Sequence, residues 1–441
     1  MEILSSYNLI IGASLIVVLS FFFNGISKKT NIPAVLMLIV LGILIKITLE
    51  FFIPEIPDFK GSLEILGTVG LIMIVLEAAL ELELKREKLW PIIKSMAVAL
   101  IGLVGSAYVA ALILYQFIPN MTMQSAWLYA TPLSILSSAI IIPSVGGLAE
   151  QKKEFHIYES TFSDIMGIMM FYFLTGKLNP AEDTGASGFA LNLVLTIVIA
   201  LVASYAIILV FQKIKSQAKL FLLIAVLLLL YAIGKKMDLS SLIIILVFGL
   251  IVKNVNLFFP GKTKIFLESE RMQQIYHELH IVTLETAFVV RTFFFVIFGI
   301  TIVLSSLLSI NVAIVSLLII TSIYAIRFLV LMIFVGKDML PQLFIAPRGL
   351  ITVLLFYAIP SEAQIEGFES GILLFVIIAT SLVMTWAMIK DKQKMGTLLD
   401  EIDEEITERN LTEDAIRASE AIAPTETEGE NPQTDIFENN R

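Results

Sequence analysis

Apolar residues along this chain come in blocks of about 20, the length at which a helix crosses a hydrocarbon core roughly 30 Å thick. Such blocks fall near residues 7–26, 32–52, 63–82, 92–118, 126–148, 155–175, 188–211, 218–233, 240–256, 281–304, 310–334, 340–358 and 371–390. Thirteen membrane spans are therefore expected. Those at 218–233 and 240–256 are short, and Gly234-Lys235-Lys236 between them is a weak break. The blocks stop near residue 390. After it Leu398, Leu399, Ile402 and Ile406 recur at helical spacing among acids, and beyond about Ala423 the chain is rich in Glu, Thr, Pro and Asn. The pattern predicts a transmembrane domain over 1–390 and an acidic cytoplasmic tail over 391–441, one short helix followed by disorder.

Composition agrees with the blocks. Hydrophobic residues are 57% of the 441 and charged residues 16%, with mean hydropathy +0.90, which makes an all-α polytopic membrane protein rather than a soluble domain. The formal net charge of −9 belongs to the tail: residues 391–441 carry 15 acids and 5 bases, leaving the membrane part at +1. Basic residues of the short loops fall overwhelmingly on one side; only Lys60, Lys177, Lys235 and Lys236 fall on the other. That bias places the N-terminus outside and the C-terminus in the cytoplasm of a cell (inner) membrane. No cleavable signal peptide is expected, because the first apolar block lacks a basic leader and a small-residue cleavage motif. The absence of cysteine excludes disulfides, thiolate metal sites and thiol nucleophiles.

Against this background a few polar residues inside spans stand out. Tyr158-Glu159-Ser160-Thr161-Phe162-Ser163-Asp164 opens the sixth span with two carboxylates. A charge at the bilayer centre costs roughly 2.5–3.5 kcal/mol on insertion scales, so such residues persist where they face a bundle interior or a water path. At 100° per residue Ser160 and Asp164 share one helix face, as do Glu159 and Ser163, while Glu159 and Asp164 point about 140° apart. The two acids thus have different partners. One reading is a helix cap with Asp164 in an aqueous cleft; the stronger one is a cation or proton site.

Two spans carry interruptions. The fifth reads Thr131-Pro132-Leu133-Ser134-Ile135-Leu136-Ser137-Ser138, continuing to Pro143, and the twelfth reads Ala346-Pro347-Arg348-Gly349-Leu350. One broken helix in each half is what the crossed half-helices of an inverted-repeat transporter produce, with spans 1–6 and 8–13 as repeats and span seven as linker. Arg327 sits mid-span with no acid nearby on its own helix, and Glu159 is its natural partner; a guanidinium holds its charge when buried. Arg291 is expected to snorkel or pair with Glu285, Lys46 and Glu77 to serve span ends, and His156, His277 and His280 to lie at interfaces without metal-ligand spacing.

These residues resemble the monovalent cation–proton antiporter superfamily over about residues 10–390. The matches are Ile32-Pro33-Ala34-Val35-Leu36, Leu66-Gly67-Thr68-Val69-Gly70, Leu76-Glu77-Ala78-Ala79-Leu80-Glu81-Leu82, Phe293-Phe294-Phe295-Val296-Ile297-Phe298-Gly299 and Pro347-Arg348-Gly349-Leu350. Glu159-Ser160-Thr161-Phe162-Ser163-Asp164 is similar to the family's glutamate-serine-x-x-asparagine-aspartate motif. The resemblance implies a thirteen-helix inverted-repeat fold, a homodimer, and one carboxylate used alternately by a proton and a monovalent cation. It implies Asp164 as ion carrier, with Glu159–Arg327 as the neighbouring pair. This chain departs from the motif at Ser163. It also lacks the acid of the family's unwound threonine-aspartate-proline. Either Ser137-Ser138 or Thr131-Pro132 stands at that crossing; spacing to Asp164 favours the serines, as in Kef-type potassium exchangers.

The expected activity is exchange of a monovalent cation, Na⁺ first, for H⁺, electroneutral at one for one. The alternatives are K⁺/H⁺ exchange, or an uncoupled channel or sensor on the same fold. Asp164, Ser160, Ser163, Ser137, Ser138 and Thr131 are the candidate ion-binding residues, and Pro132, Pro347, Arg348 and Gly349 the candidate unwound positions. No Gly-x-Ser-x-Gly, Gly-x-Gly-Asp or metal-spaced histidine motif is present, so neither an enzyme nor a cofactor is expected. The partners are the bilayer, the two ions and a second copy of the chain, not nucleic acid.

Overall fold

The computed structural model describes residues 6–30, 32–52, 60–178, 185–214, 219–237, 241–259, 269–302, 306–307, 309–366 and 368–393. The short helix and disorder expected of the acidic tail lie outside the described residues. Met1–Ile389 forms one compact unit; of the second, which begins at Lys390, only residues 390–393 are described.

All regular structure among the described residues is helical. In order these are α1 (Ser6–Thr30), α2 (Ala34–Phe52), α3 (Lys60–Glu81), α4 (Leu89–Phe117), α5 (Met123–Ser134), α6 (Ser138–Ser144), α7 (Glu150–Gly176), α8 (Gly185–Phe211), α9 (Lys219–Lys236), α10 (Ser241–Lys253), α11 (Val255–Phe258), α12 (Ser269–Thr301), α13 (Ile310–Phe334), α14 (Leu350–Tyr357) and α15 (Gly371–Gln393). Eight predicted spans are filled by helices that are long and apolar enough to cross a membrane unaided, counting α5 and α6 as one. The remaining five are α3, α7, α9, α10 and the segment ending in α14, which are short, broken or charged.

Gly234-Lys235-Lys236 is a full boundary: it closes α9, where two lysines complement the carbonyl end of the helix dipole, and α10 starts at Ser241. One boundary differs from the apolar pattern: α12 begins at Ser269, a dozen residues before its apolar block, with Tyr276 and His280 held by partners on α10 and α3.

The helices sort into two groups. In the first, α12 lies along α2 and α3, and α10 along α3, α8 and α9. In the second, α4 packs against α5, α7 and α13, with α14 against α5. α15 joins that second group, through Thr380 to Arg348 and Trp386 to Phe344. The groups meet chiefly where α7 and α14 touch α3. Without a hydrophobic driving force between helices in lipid, close packing and buried polar pairs must hold such a bundle together.

Candidate functional site

The site begins with two broken helices. Thr122 caps α5, its hydroxyl accepting from the Ser125 amide at 3.0 Å, and the helix runs through Pro132 to Ser134. Ile135 and Ser137 are extended, and α6 starts at Ser138. The second break lies between a single 3₁₀ turn at Gln342–Phe344 and the start of α14 at Leu350. The breaks cross in direct contact: the Ser137 amide donates to the Pro347 carbonyl at 2.9 Å. A Cβ at Gly349 would crowd Ser137 Oγ and Ile140 Cδ1, so a larger residue there would have to push both side chains aside. Pro347, Arg348 and Gly349 thus lie in non-helical backbone, whereas Pro132 lies inside α5, one turn short of the break. Proline removes a donor but does not fix where the helix ends.

Arg348 decides that. Its guanidinium, 2% exposed, donates from Nε to Leu133 O at 2.9 Å, from Nη2 to Ser134 O at 3.2 Å and from Nη1 to Ala346 O at 2.6 Å. The last carbonyls of α5, which have no helical donor beyond the break, are satisfied by a cation at the negative end of the helix dipole. Thr380 on α15 accepts the Arg348 amide at 3.1 Å. Ser163 Oγ accepts the Leu136 amide at 3.0 Å, tying α7 to the first break.

Asp164 is 2% exposed, and neither of its oxygens has a hydrogen-bond partner among the described residues. Ser138, first residue of α6, faces it with amide and hydroxyl without closing a bond of good geometry. The carboxylate borders a small cleft between the two helix groups, walled by aliphatic residues including Ile74 and Ala78 of α3, Leu242 and Leu246 of α10, and Ile351 of α14. Desolvation without a partner is costly for a carboxylate, which makes this, among the described residues, the interior acid whose surroundings demand a proton or a cation.

Glu159 has the opposite surroundings. Arg327 holds it with both terminal nitrogens, Nη1–Oε1 at 2.7 Å and Nη2–Oε2 at 3.0 Å, and also donates from Nε to the carbonyls of Gln342 and Leu343, each at 3.1 Å. The pair therefore braces α7, α13 and the approach to the second break at once. With Arg348 it lines a small pocket beside α4 and α13, on which Ser134 and Ser163 also abut.

The other hydroxyls are committed locally. Thr131 Oγ1 donates to Trp127 O at 2.7 Å and Ser160 Oγ to His156 O at 2.7 Å; neither lines the Asp164 cleft, and both keep oxygen lone pairs free. Three expectations change. His156 is buried, not interfacial, with Nδ1 3.3 Å from Glu159 Oε2, since α7 begins a turn and a half before it. Arg291 neither snorkels nor joins Glu285; its Nη2 lies 3.3 Å from Glu77 Oε1, which pairs α12 with α3 inside the first group. Glu77, expected at a span end, is thereby an interior partner, whereas Lys46 does serve a span end, donating to Ile302 O just past α12. The signal for Arg348 was its place in Pro-Arg-Gly, in a span without an acid; nothing local marked Thr380 or Leu136. Among the described residues no three His, Cys, Asp or Glu side chains converge as a metal cluster.

Two interrupted helices crossing beside a desolvated, unpartnered carboxylate define the ion-transporter class of helical membrane proteins. The match to a family model, "Sodium/hydrogen exchanger, transmembrane", spans residues 15–390, and the chain belongs to that family. The fold is similar to two structures of the sodium proton antiporter MjNhaP1 from Methanocaldococcus jannaschii. One, determined at pH 8, has a TM-score of 0.63 at 20% identity, covering 88% of this chain and 97% of that one. The other, an electron-microscopy structure, has a TM-score of 0.62 at 20% identity, covering 90% and 97%. The sequence matches no curated protein.

Proposed function

We propose that the protein is a secondary antiporter exchanging a monovalent cation, Na⁺ in the first instance, for H⁺, with Asp164 as the shared carrier. The observation that supports this most is the buried carboxylate with no hydrogen-bond partner on the border between two helix groups. An ionised Asp164 in that place needs a cation; a protonated one needs none. Occupancy is therefore competitive, and competition at a site that changes its exposure couples the two ion flows. Ser138 supplies oxygen ligands from the start of α6, and Thr131 on α5, Ser137 in the break, and Ser160 and Ser163 on α7 are further oxygens nearby in the chain. Glu159 and Arg327 stay paired throughout and carry no ion. By the basic-loop bias the N-terminus lies outside a cell membrane and the C-terminus in the cytoplasm, and the family resemblance makes the working unit a homodimer. The serine pair Ser137-Ser138 at the crossing favours a second reading in which K⁺ replaces Na⁺.

The test is proton movement in proteoliposomes, read with an interior pH dye as Na⁺, Li⁺ or K⁺ is added. Exchange predicts cation-dependent alkalinisation or acidification that Asp164→Asn abolishes while the protein still folds and inserts. Cation flux without proton movement would make this a channel, and full exchange by Asp164→Asn would remove Asp164 from its role. The ion giving the largest response decides between the Na⁺ and K⁺ readings.

A further inference from the structure

The cleft beside Asp164 runs between α3, α7 and α10, and the same three helices close it at one end. Along α3 Ile74 and Ala78 line the cleft, and the non-helical stretch that follows brings Leu82 and Leu84; along α10 the order is Leu242 and Leu246, then Leu250. α7 runs oppositely, from Ile168 and Ile165 in the cleft back through Asp164 to Phe162 and Tyr158. Leu82, Leu84, Ile92, Tyr158, Phe162 and Leu250 pack as one small apolar cluster, joined to the main core through Leu250. It is a plug on the α7 N-terminal side of the carboxylate.

The plug contains one polar lock. Tyr158 Oη donates to the Glu83 carbonyl at 3.0 Å, and Tyr158 is only 5% exposed. That carbonyl is held in place from the other helix group. Asn254, buried at the end of α10, donates from Nδ2 to Leu82 O at 2.9 Å and accepts the Leu84 amide on Oδ1 at 2.7 Å, so its amide brackets Glu83 on both sides. Asn254 Nδ2 also reaches Leu250 O at 2.9 Å, fixing the side chain to its own helix. The acceptor is thus built into the α3–α10 group and the donor into the α7 group. The non-helical stretch after α3 leaves backbone groups without helical partners, which Asn254 supplies at Leu82 and Leu84. Bracketing it with one asparagine leaves a single carbonyl facing α7.

We infer that Tyr158 and Asn254 form a gate latch: the Asn254-bracketed Glu83 carbonyl captures the Tyr158 hydroxyl when the plug is shut, and releases it when Asp164 becomes accessible from that side. Its consequence for transport rests on the exchange reading above, but the accessibility it governs does not. A single hydrogen bond is the right strength for a gate. It biases two packings about two- to tenfold without locking either.

The chain has no cysteine, so single reporters can be placed cleanly. Leu250→Cys reports the plug and Met169→Cys the cleft on the far side of Asp164. Labelling rates by a membrane-impermeant maleimide, applied separately to each face of oriented vesicles, are compared with and without Tyr158→Phe. The latch predicts that Tyr158→Phe speeds labelling at Leu250→Cys about two- to tenfold and slows it at Met169→Cys, with Asn254→Ala acting in the same sense. Unchanged rates, or rates that rise at both reporters as they would for a loosened bundle, would overturn it. The labelling is read without ion flux, so a protein that failed to exchange could still show the latch, and the reverse.

Discussion

Arg348 and the Leu133 carbonyl, 215 positions apart in the chain, meet at 2.9 Å, and this contact ends a helix. α5 stops at Ser134 because the guanidinium of the opposite broken segment takes over its last acceptors. Removing it strands buried carbonyls at about 1–3 kcal/mol each. Arg348→Ala is expected to lower the Tm in detergent far more than Lys236→Ala at an exposed site. Arg348→Lys should fall between them, since an ammonium keeps the charge but not the fork that spans Leu133 and Ser134. Differential scanning fluorimetry of the three variants checks the order. Equal shifts for the alanine and lysine variants would mean that charge alone matters.

Glu159 and Arg327 present a different balance. The carboxylate is fully enclosed and doubly bonded, so deleting either partner leaves an unpaired buried charge and costs about 3–5 kcal/mol. Glu159→Ala and Arg327→Ala should each destabilise strongly, and the double variant less than their sum. Arg327→Ala should be the worse single change, because it also strips donors from the Gln342 and Leu343 carbonyls. Additive melting shifts across the cycle would mean that the two side chains do not interact energetically.

Gly167, one turn after Asp164, is where α7 makes room for the first break. A Cβ there would stand 2.3 Å from Ile135 Cγ1 and 2.4 Å from its Cδ1. Gly167→Ala must therefore push Ile135, and with it the extended segment that Ser163 holds through the Leu136 amide. Overpacking of this kind costs about 1–3 kcal/mol. Gly167→Ala is expected to lose exchange and stability together, and Ile135→Val in the same chain to restore part of both by returning volume. Failure of the second substitution to restore either would place the cause elsewhere on α7.

What could be read from the chain follows from which constraints are local. Span lengths are legible because bilayer thickness sets them, and Arg327 is legible because a mid-span guanidinium without a nearby acid must find one. The position of a helix break is not local. Spacing to Asp164 favours Ser137-Ser138 for the crossing, and the Ser137 amide does meet the Pro347 carbonyl there; Pro132, also expected to be unwound, stays helical, since the decisive partner is Arg348 in the other half. Arg291 and Glu77 misled for the same reason: each is ambiguous alone, and they are 214 positions apart. His156 misled through a boundary. Polar residues before an apolar block look interfacial, but α7 starts at Glu150 and carries the histidine inside with Glu159.

The stoichiometry of exchange follows from a count of charges that have partners. Glu77 is met by Arg291, Glu81 by His280 and Glu159 by Arg327. Asp164 alone among these interior acids has no partner, and the position before it is the neutral Ser163. One free carboxylate carries one proton or one monovalent cation, and the two loaded forms have equal charge. Whatever fixed charge the moving helices hold, Arg348 included, crosses equally in both directions and cancels over a cycle. Electroneutral one-for-one exchange is therefore expected. A potential of 100 mV does about 2.3 kcal/mol of work on each elementary charge moved, so an electrogenic cycle could not hide. Cation-driven proton flux measured under a potassium–valinomycin clamp, with Na⁺ as driving ion, should reverse at the same ion gradients whatever the potential. Ser163→Asp gives the complementary test: a second acid beside Asp164 should make the reversal point move with potential. A shift already present in the unmodified protein would mean that Glu159 leaves Arg327 during the cycle and carries a second proton.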